Sequence, residues 1–288
     1  MSRGLGDVYK RQLLVGGTVG MAGAIVLAAR SAFRAGAGLI RVCSVEANRE
    51  ILQSALPEAI HVAPDEGALA EAVASSDVVA VGPGLGRDDF ARQVVRTVTA
   101  KSDVPIVLDA DALNLASEGL YTLADVALDR PTLITPHPGE MRRLLGEDLG
   151  ANGGGEASEG GATRLDELNA AVDRFGCSVL YKGAPSLVAD AEGPLLVDTQ
   201  SSSDLAVAGM GDTLTGTCAA LLAQGLDPST AGALGLYLSG RAAQRARLGA
   251  GLTPSDVVEG LPDVLTEAGP VPSDLDLPFV IFDADPAR

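Results

Sequence analysis

Short, predominantly apolar runs alternate along the chain with longer stretches in which apolar residues recur every three or four positions. Residues 77–81, 105–108, 132–135 and 178–181 are continuous runs of this kind, and 13–15 and 39–44 resemble them. Runs this short predict strands covered on both faces, as in a parallel sheet. Between them, residues 23–35 and 90–99 carry helical periodicity, the first stopped by Gly36. Strand, turn and helix in repetition predict an α/β fold with a mainly parallel central sheet between helical layers. Each run ends in glycine or polar residues: Gly16-Gly17, Gly82-Pro83-Gly84-Leu85-Gly86, Asp109, Pro136-His137-Pro138 and Lys182-Gly183. Ligands of open parallel sheets settle outside the carboxyl ends of the strands, so these ends are expected to converge on one site.

One domain over residues 13–268 accounts for the pattern, without internal repeats. Residues 1–12 share nothing with the rest of the chain and read as a non-native or disordered prefix. The basic start and the apolar stretch 13–29 imitate a signal peptide, but Gly16, Gly17, Gly20 and Gly23 interrupt it. Residues 146–161 hold seven glycines without periodicity and predict a mobile loop, and 269–288 form an acidic, Pro-rich tail. No apolar run reaches the roughly 18 residues that a membrane span needs.

Charge narrows the function. With 38 acidic against 21 basic side chains the formal charge is −17, which repels nucleic acid and anionic membranes; neither is an expected partner. Any phosphate must be held locally, and lysine occurs only at Lys10, Lys101 and Lys182. Cys43, Cys177 and Cys218 lack metal or disulfide spacing, which points to a reducing, cytoplasmic setting.

The most specific segment is Ala208-Gly209-Met210-Gly211-Asp212-Thr213-Leu214-Thr215-Gly216, which opens a helix running to about Gln224. Glycines at a helix start leave amides unpaired at the positive end of the helix dipole, a place for an anion. Asp212 admits two readings, a helix cap or a general base. Lys182 reads as a solvated charge or a phosphate contact, and His137 as a turn anchor or a ligand contact. Asp109, Asp111 and Asn114 read as turn-capping groups.

Gly209-Met210-Gly211-Asp212 and the helix after it resemble the anion hole and catalytic aspartate of the ribokinase-like superfamily. Five more segments resemble, in family order, the ADP/ATP-dependent (S)-NAD(P)H-hydrate dehydratases, the carbohydrate-kinase-like domain of the YjeF type. These are GGTVGMAGAIVLAARSAFRAGAGLIRV (16–42), VGPGLGRDD (81–89), VLDADALN (107–114), LITPHPGEMRRLLG (133–146) and LYKGAPSLV (180–188). The resemblance covers about residues 13–265 and implies a ribokinase-like three-layer α/β/α sandwich.

It also implies a repair reaction, in which the hydroxyl of hydrated NADH or NADPH is phosphorylated from ADP or ATP with Mg²⁺ and phosphate is then eliminated. Asp212 would be the catalytic base, and Gly209, Met210 and Gly211 the anion hole. Lys182, Gly183, Ala184, Pro185, Ser186 and Gly211 would bind the nucleotide. Ala24, Gly84, His137 and Asp212 would bind the hydrated dinucleotide, with Glu140 organising magnesium through water. A homo-oligomer and a separate NAD(P)H-hydrate epimerase are implied as partners.

The chain departs from the family pattern at Ser201-Ser202-Ser203-Asp204, where Thr-Gly-Asn is usual, at Met210, where Thr is usual, and in its prefix. Two rivals stand beside this reading. One is a small-molecule kinase of the same superfamily acting on a thiazole alcohol, a pyridoxine-like alcohol or a sugar. The other is a non-catalytic nucleotide-binding domain.

Overall fold

Successive side chains of each strand enter two separate cores. In β1 (Arg11–Val15), Leu14 joins one core while Leu13 and Val15 join the other. The same split divides Ala80 from Val79 and Val81 in β4 (Val78–Val81), and Leu180 from Val179 and Tyr181 in β7 (Ser178–Tyr181). Strands with apolar residues on both faces must be covered on both faces, and the helices divide accordingly. The computed structural model describes residues 10–146, 163–200, 202–267 and 279–282.

The other strands are β2 (Leu39–Cys43), β3 (Ile60–Val62), β5 (Ile106–Leu108), β6 (Thr132–Ile134), β8 (Leu187–Ala189), β9 (Leu195–Asp198) and β10 (Phe279–Phe282). They form one sheet in the order β10-β9-β8-β7-β6-β5-β4-β1-β2-β3. From β3 to β7 all neighbours are parallel, and β8, β9 and β10 extend the sheet antiparallel. Helices α1 (Ala22–Arg34), α2 (Arg49–Ala55), α9 (Met210–Ala223), α10 (Pro228–Ala246) and α11 (Pro254–Glu267) cover one face. Helices α3 (Glu66–Ala74), α4 (Asp89–Lys101), α5 (Asp111–Ser117), α6 (Leu123–Asp129), α7 (Pro138–Leu145) and α8 (Arg164–Phe175) cover the other. The expected three-layer α/β/α architecture is present. Among the described residues no helix is long and apolar enough to cross a membrane.

Two expected boundaries move. The first strand starts at Arg11, whose guanidinium pairs with Asp77 at 2.9 Å, and Gln12 is wholly buried, so both belong to the domain rather than to a prefix. Within the expected tail, Phe279–Phe282 hydrogen-bond to β9 and complete the sheet edge. The glycine-rich loop beyond Gly146, residues 1–9 and the rest of the tail lie outside the described residues.

Helix α9 is buried on every side from Thr213 to Ala223, which explains its lack of a polar face. It crosses α1 so closely that a Cβ on Gly216 would lie 1.9 Å from the Ala28 carbonyl oxygen. The last glycine of the sharpest motif is therefore a packing residue, and the alanines of α1 serve the same approach. This crossing brings the start of α9 to the carboxyl ends of the strands.

Gly216→Ala is expected to destabilise the protein by about 2 kcal/mol, because overpacking outweighs the better helix propensity of alanine. Gly23, in α1, has open space around it; Gly23→Ala should gain up to about 1 kcal/mol. Urea unfolding midpoints check both, and a Gly216→Ala protein as stable as the parent would contradict the crossing. Both amide atoms of Gln12 are buried without a hydrogen-bond partner among the described residues. Gln12→Leu should accordingly stabilise the fold by about 1–3 kcal/mol, read as a higher thermal midpoint; a lower one would show that the amide is satisfied.

Candidate active site

The neighbours β7, β6, β5, β4 and β1 run parallel, so their carboxyl ends stand in a row. The ladder continues just past each strand. The Lys182 amide donates to the Pro136 carbonyl at 2.9 Å, Thr135 to Leu108 at 3.1 Å, Asp109 to Val81 at 3.1 Å and Gly82 to Val15 at 3.0 Å. Gly82, at φ 132°, packs so tightly that a Cβ there would lie 1.8 Å from the Asp109 carbonyl oxygen. Ala110 takes φ 49° and ψ −117°, a costly conformation for a residue with a Cβ. That turn separates the two neighbouring aspartates. Asp109 stays in the sheet end, whereas Asp111 accepts the Gly86 amide at 2.8 Å and the Asn114 side-chain amide at 3.2 Å.

Asp109 is the buried centre of the row, at 1% exposure. One carboxylate oxygen accepts from Lys182 Nζ at 2.7 Å and Thr135 Oγ1 at 2.8 Å, and the other from Thr215 Oγ1 at 2.7 Å. Burial alone pushes the Asp109 carboxyl up, but the ammonium and the three donors hold it below the usual carboxylate range. Burial likewise pulls Lys182 down, and the facing carboxylates of Asp109 and Glu140 overcome this and raise it. The Lys182 side chain keeps 20% exposure, and its Nζ is 4.0 Å from Glu140 Oε2. Glu140 is itself raised, chiefly by burial.

Helix α9 meets this pair with its first turn. Gly209 is the N-cap in the left-handed region at φ 94°, where any Cβ would press on Leu27 and Pro254. A Cβ on Gly211 would lie 3.4 Å from Lys182 Nζ, so the helix start and the ion pair are in contact. Asp212 is the third helical residue, not the cap, and its carboxylate has no hydrogen-bond partner among the described residues. Burial and the Asp109 carboxylate push its pKa up to about 6, with Lys182 opposing. A partly buried carboxyl poised near neutrality, with no structural bond to make, fits a general base.

The remaining expected residues divide between the site and its supports. The amides of Gly209, Gly211 and Asp212 have no partner among the described residues, but the Met210 amide is taken by the Val207 carbonyl at 3.2 Å and cannot serve an anion hole as expected. Gly84, in the loop after β4, meets Ala24, in the first turn of α1: a Cβ on Gly84, at φ 57°, would lie 2.9 Å from that of Ala24. His137 caps α7, accepting the Gly139 amide on Nδ1 at 2.9 Å while its own amide donates to Glu140 at 2.8 Å. Burial and the nearby Lys182 and Arg143 lower its pKa, which suits a neutral acceptor ring. Ser186 closes the loop after β7 with Gly183, within hydrogen-bond distance of its carbonyl at 2.9 Å.

Asp109 is thus the partner of Lys182 rather than the expected turn cap. Thr135 and Thr215 join it without any motif that marks them as site residues; their only signal is position, at a strand end or one turn into the motif helix. Around one lysine the site gathers Asp109, Glu140 and Asp212, a donor set that repels a polyphosphate unless a divalent cation accompanies it. No three His, Cys, Asp or Glu side chains among the described residues form a cage for an ion. The residues thus fit magnesium carried on nucleotide phosphates and water.

A family model described as NAD(P)H-hydrate dehydratase matches residues 12–262. The bifunctional NAD(P)H-hydrate repair enzyme Nnr of Salinibacter ruber is 39% identical over 256 residues, covering 83% of this chain and 45% of that protein. Its counterpart in Moorella thermoacetica is 37% identical over 273 residues, covering 90% and 49%. The chain spans about half the length of these curated relatives. Among solved structures, the ADP/ATP-dependent NAD(P)H-hydrate dehydratase of Bacillus subtilis, co-crystallised with ATP and Mg²⁺, superposes with a TM-score of 0.72 at 26% identity, covering 91% of this chain and 92% of that one. A ribokinase-like superfamily protein of Enterococcus faecalis gives 0.76 at 26%, covering 91% and 90%. With its strand ends, glycine turn and Asp212 in one site, the chain belongs to the NAD(P)H-hydrate dehydratase family.

Proposed function

We propose that this chain restores hydrated NADH and NADPH at the expense of ADP or ATP, one of the activities of a bifunctional repair enzyme. The observation that carries the reading is Asp212, without a hydrogen-bond partner among the described residues, raised to about 6 and seated beside the helix-start amides and the Lys182–Asp109 pair. Asp212 takes the proton of the ring hydroxyl as its oxygen attacks the terminal phosphoryl group. The amides of Gly209 and Gly211 hold the transferring phosphoryl at the positive end of α9. Loss of phosphate from the ring carbon, with a proton from its neighbour, restores the ring double bond. Magnesium, if carried on the nucleotide, would neutralise phosphate charge, and Glu140 would bind it through water. Lys182 would keep its bond to Asp109 and offer its remaining ammonium hydrogens to phosphate. Gly84, Ala24 and the half-exposed His137 ring offer the dinucleotide a close backbone surface and one polar contact.

Mixing hydrated NADH or NADPH with ADP or ATP, Mg²⁺ and the protein should restore the near-ultraviolet absorbance of the reduced nicotinamide and release phosphate. A product that keeps its phosphate would favour the kinase reading. Asp212→Asn should lower kcat by roughly 10²-fold or more while leaving nucleotide affinity unchanged; unaltered turnover would remove Asp212 as base. The acid limb of kcat/KM should fall near pH 6, where the carboxyl titrates.

The same shift has a stability consequence. Its folded pKa of about 6 lies above the ordinary value of 3.8, so the fold prefers protonated Asp212 and loses stability as pH rises between the two. Asp212→Asn should therefore be the more stable protein above pH 6, by about 2 kcal/mol after allowing for partial solvent screening. The advantage should shrink toward zero below about pH 4, as thermal midpoints across the pH range would reveal.

A further inference from the structure

The loop after β7 is gripped from the side by a residue that the proposed chemistry does not use. Arg164, the first residue of α8, sends Nη1 to the Pro185 carbonyl at 2.6 Å and Nη2 to the carbonyls of Tyr181 at 3.3 Å and Lys182 at 3.2 Å. Its guanidinium carbon lies 4.5 Å from the centre of the Tyr181 ring. The turn that carries it is pinned: Thr163 and Asp166 cap each other, with the Thr163 amide 2.8 Å from Asp166 Oδ2. One turn along, Glu167 accepts the buried Tyr181 hydroxyl. The clamp is so close that a Cβ on Gly183 would lie 2.4 Å from the Arg164 guanidinium, so a side chain at 183 would displace it.

We infer that Arg164 is a positioning residue that holds the loop 182–186 in the shape that binds nucleotide phosphate. The inference rests on the nucleotide reading of that loop. Three carbonyl oxygens that would otherwise present negative charge to an arriving phosphate are gathered onto one cation. Successive side chains leave a strand on opposite sides, so fixing the Tyr181 ring and the Lys182 carbonyl also aims the Lys182 ammonium toward Asp109 and Gly211. The task calls for a planar fork with several fixed donors, which lysine does not have.

Calorimetric titration of the full chain with ADP and Mg²⁺, and separately with ATP and Mg²⁺, tests this on Arg164→Lys. The control is Arg174→Lys: Arg174, on the same helix, also donates to a carbonyl, that of Leu145 at 3.0 Å, and lies 5.6 Å from the Phe175 ring centre. Arg164→Lys should weaken nucleotide binding by about fivefold or more while Arg174→Lys does not, and KM for hydrated NADH should hold in both. A smaller loss in Arg164→Lys, an equal loss in both variants, or a matching rise in KM for the hydrate overturns the inference. Should Arg164→Lys fail to fold, Arg164→Gln is read against the same threshold. Wild-type protein that binds ADP without turning over the hydrate would overturn the dehydratase reading and leave this one standing; failure of the wild type to bind either nucleotide would overturn both.

Discussion

Asp109 gives up nearly all its water on folding, and an ionised carboxylate without water costs several kcal/mol unless its surroundings replace every lost bond. Lys182, Thr135 and Thr215 supply the replacements. They belong to the ends of β6 and β7 and to the second turn of α9, so satisfying one side chain joins three elements that are distant in sequence. The strained turn at Ala110 belongs to the same arrangement, because it keeps Asp109 inward while Asp111 ties down the glycine loop. The ion pair also sets the electrostatics of its neighbours, and the ionised Asp109 is part of why Asp212 resists ionisation.

In the proposed function a chain with a formal charge of −17 hosts phosphate because the binding is local. The favourable groups are few and directional: the amides of Gly209, Gly211 and Asp212, without partners among the described residues, the ammonium of Lys182, and a loop whose carbonyls are bonded by Arg164. Carboxylates near the lysine make a bare polyphosphate unwelcome and a magnesium-bound one acceptable. In the proposed reaction this charge pattern favours the metal complex, and no carboxylate cage for an ion forms among the described residues.

Much of the scaffold is legible in the sequence because its signals are local. Apolar runs ending in glycine or polar residues mark the parallel strands, and the motif order marks the family. The strands β3, β8, β9 and β10, at the two ends of the sheet order, are not legible, since only pairing defines them. Residue roles are legible only in part. Asp212 admits two readings as sequence, and its position inside the helix decides against the cap. His137 and Glu140 cap a helix at the site, Met210 spends its amide on Val207, and Asp109 lies far from any turn-capping role.

These differences share a cause. A side chain's neighbours along the chain suggest what it can do, but its protonation and free valences depend on partners that only folding supplies. Asp109 and Thr215 are 106 positions apart, and Asp109 and Lys182 are 73. The sequence by itself determined the layered α/β fold, the row of strand ends and the family, because periodicity, turn chemistry and motif order are written in consecutive residues. Only the tertiary structure decided which carboxylate is buried and paired, which has its pKa raised toward neutrality, and which arginine bonds the carbonyls of the lysine loop. Desolvation and long-range hydrogen bonds set those outcomes, and neither exists until the strands stand side by side.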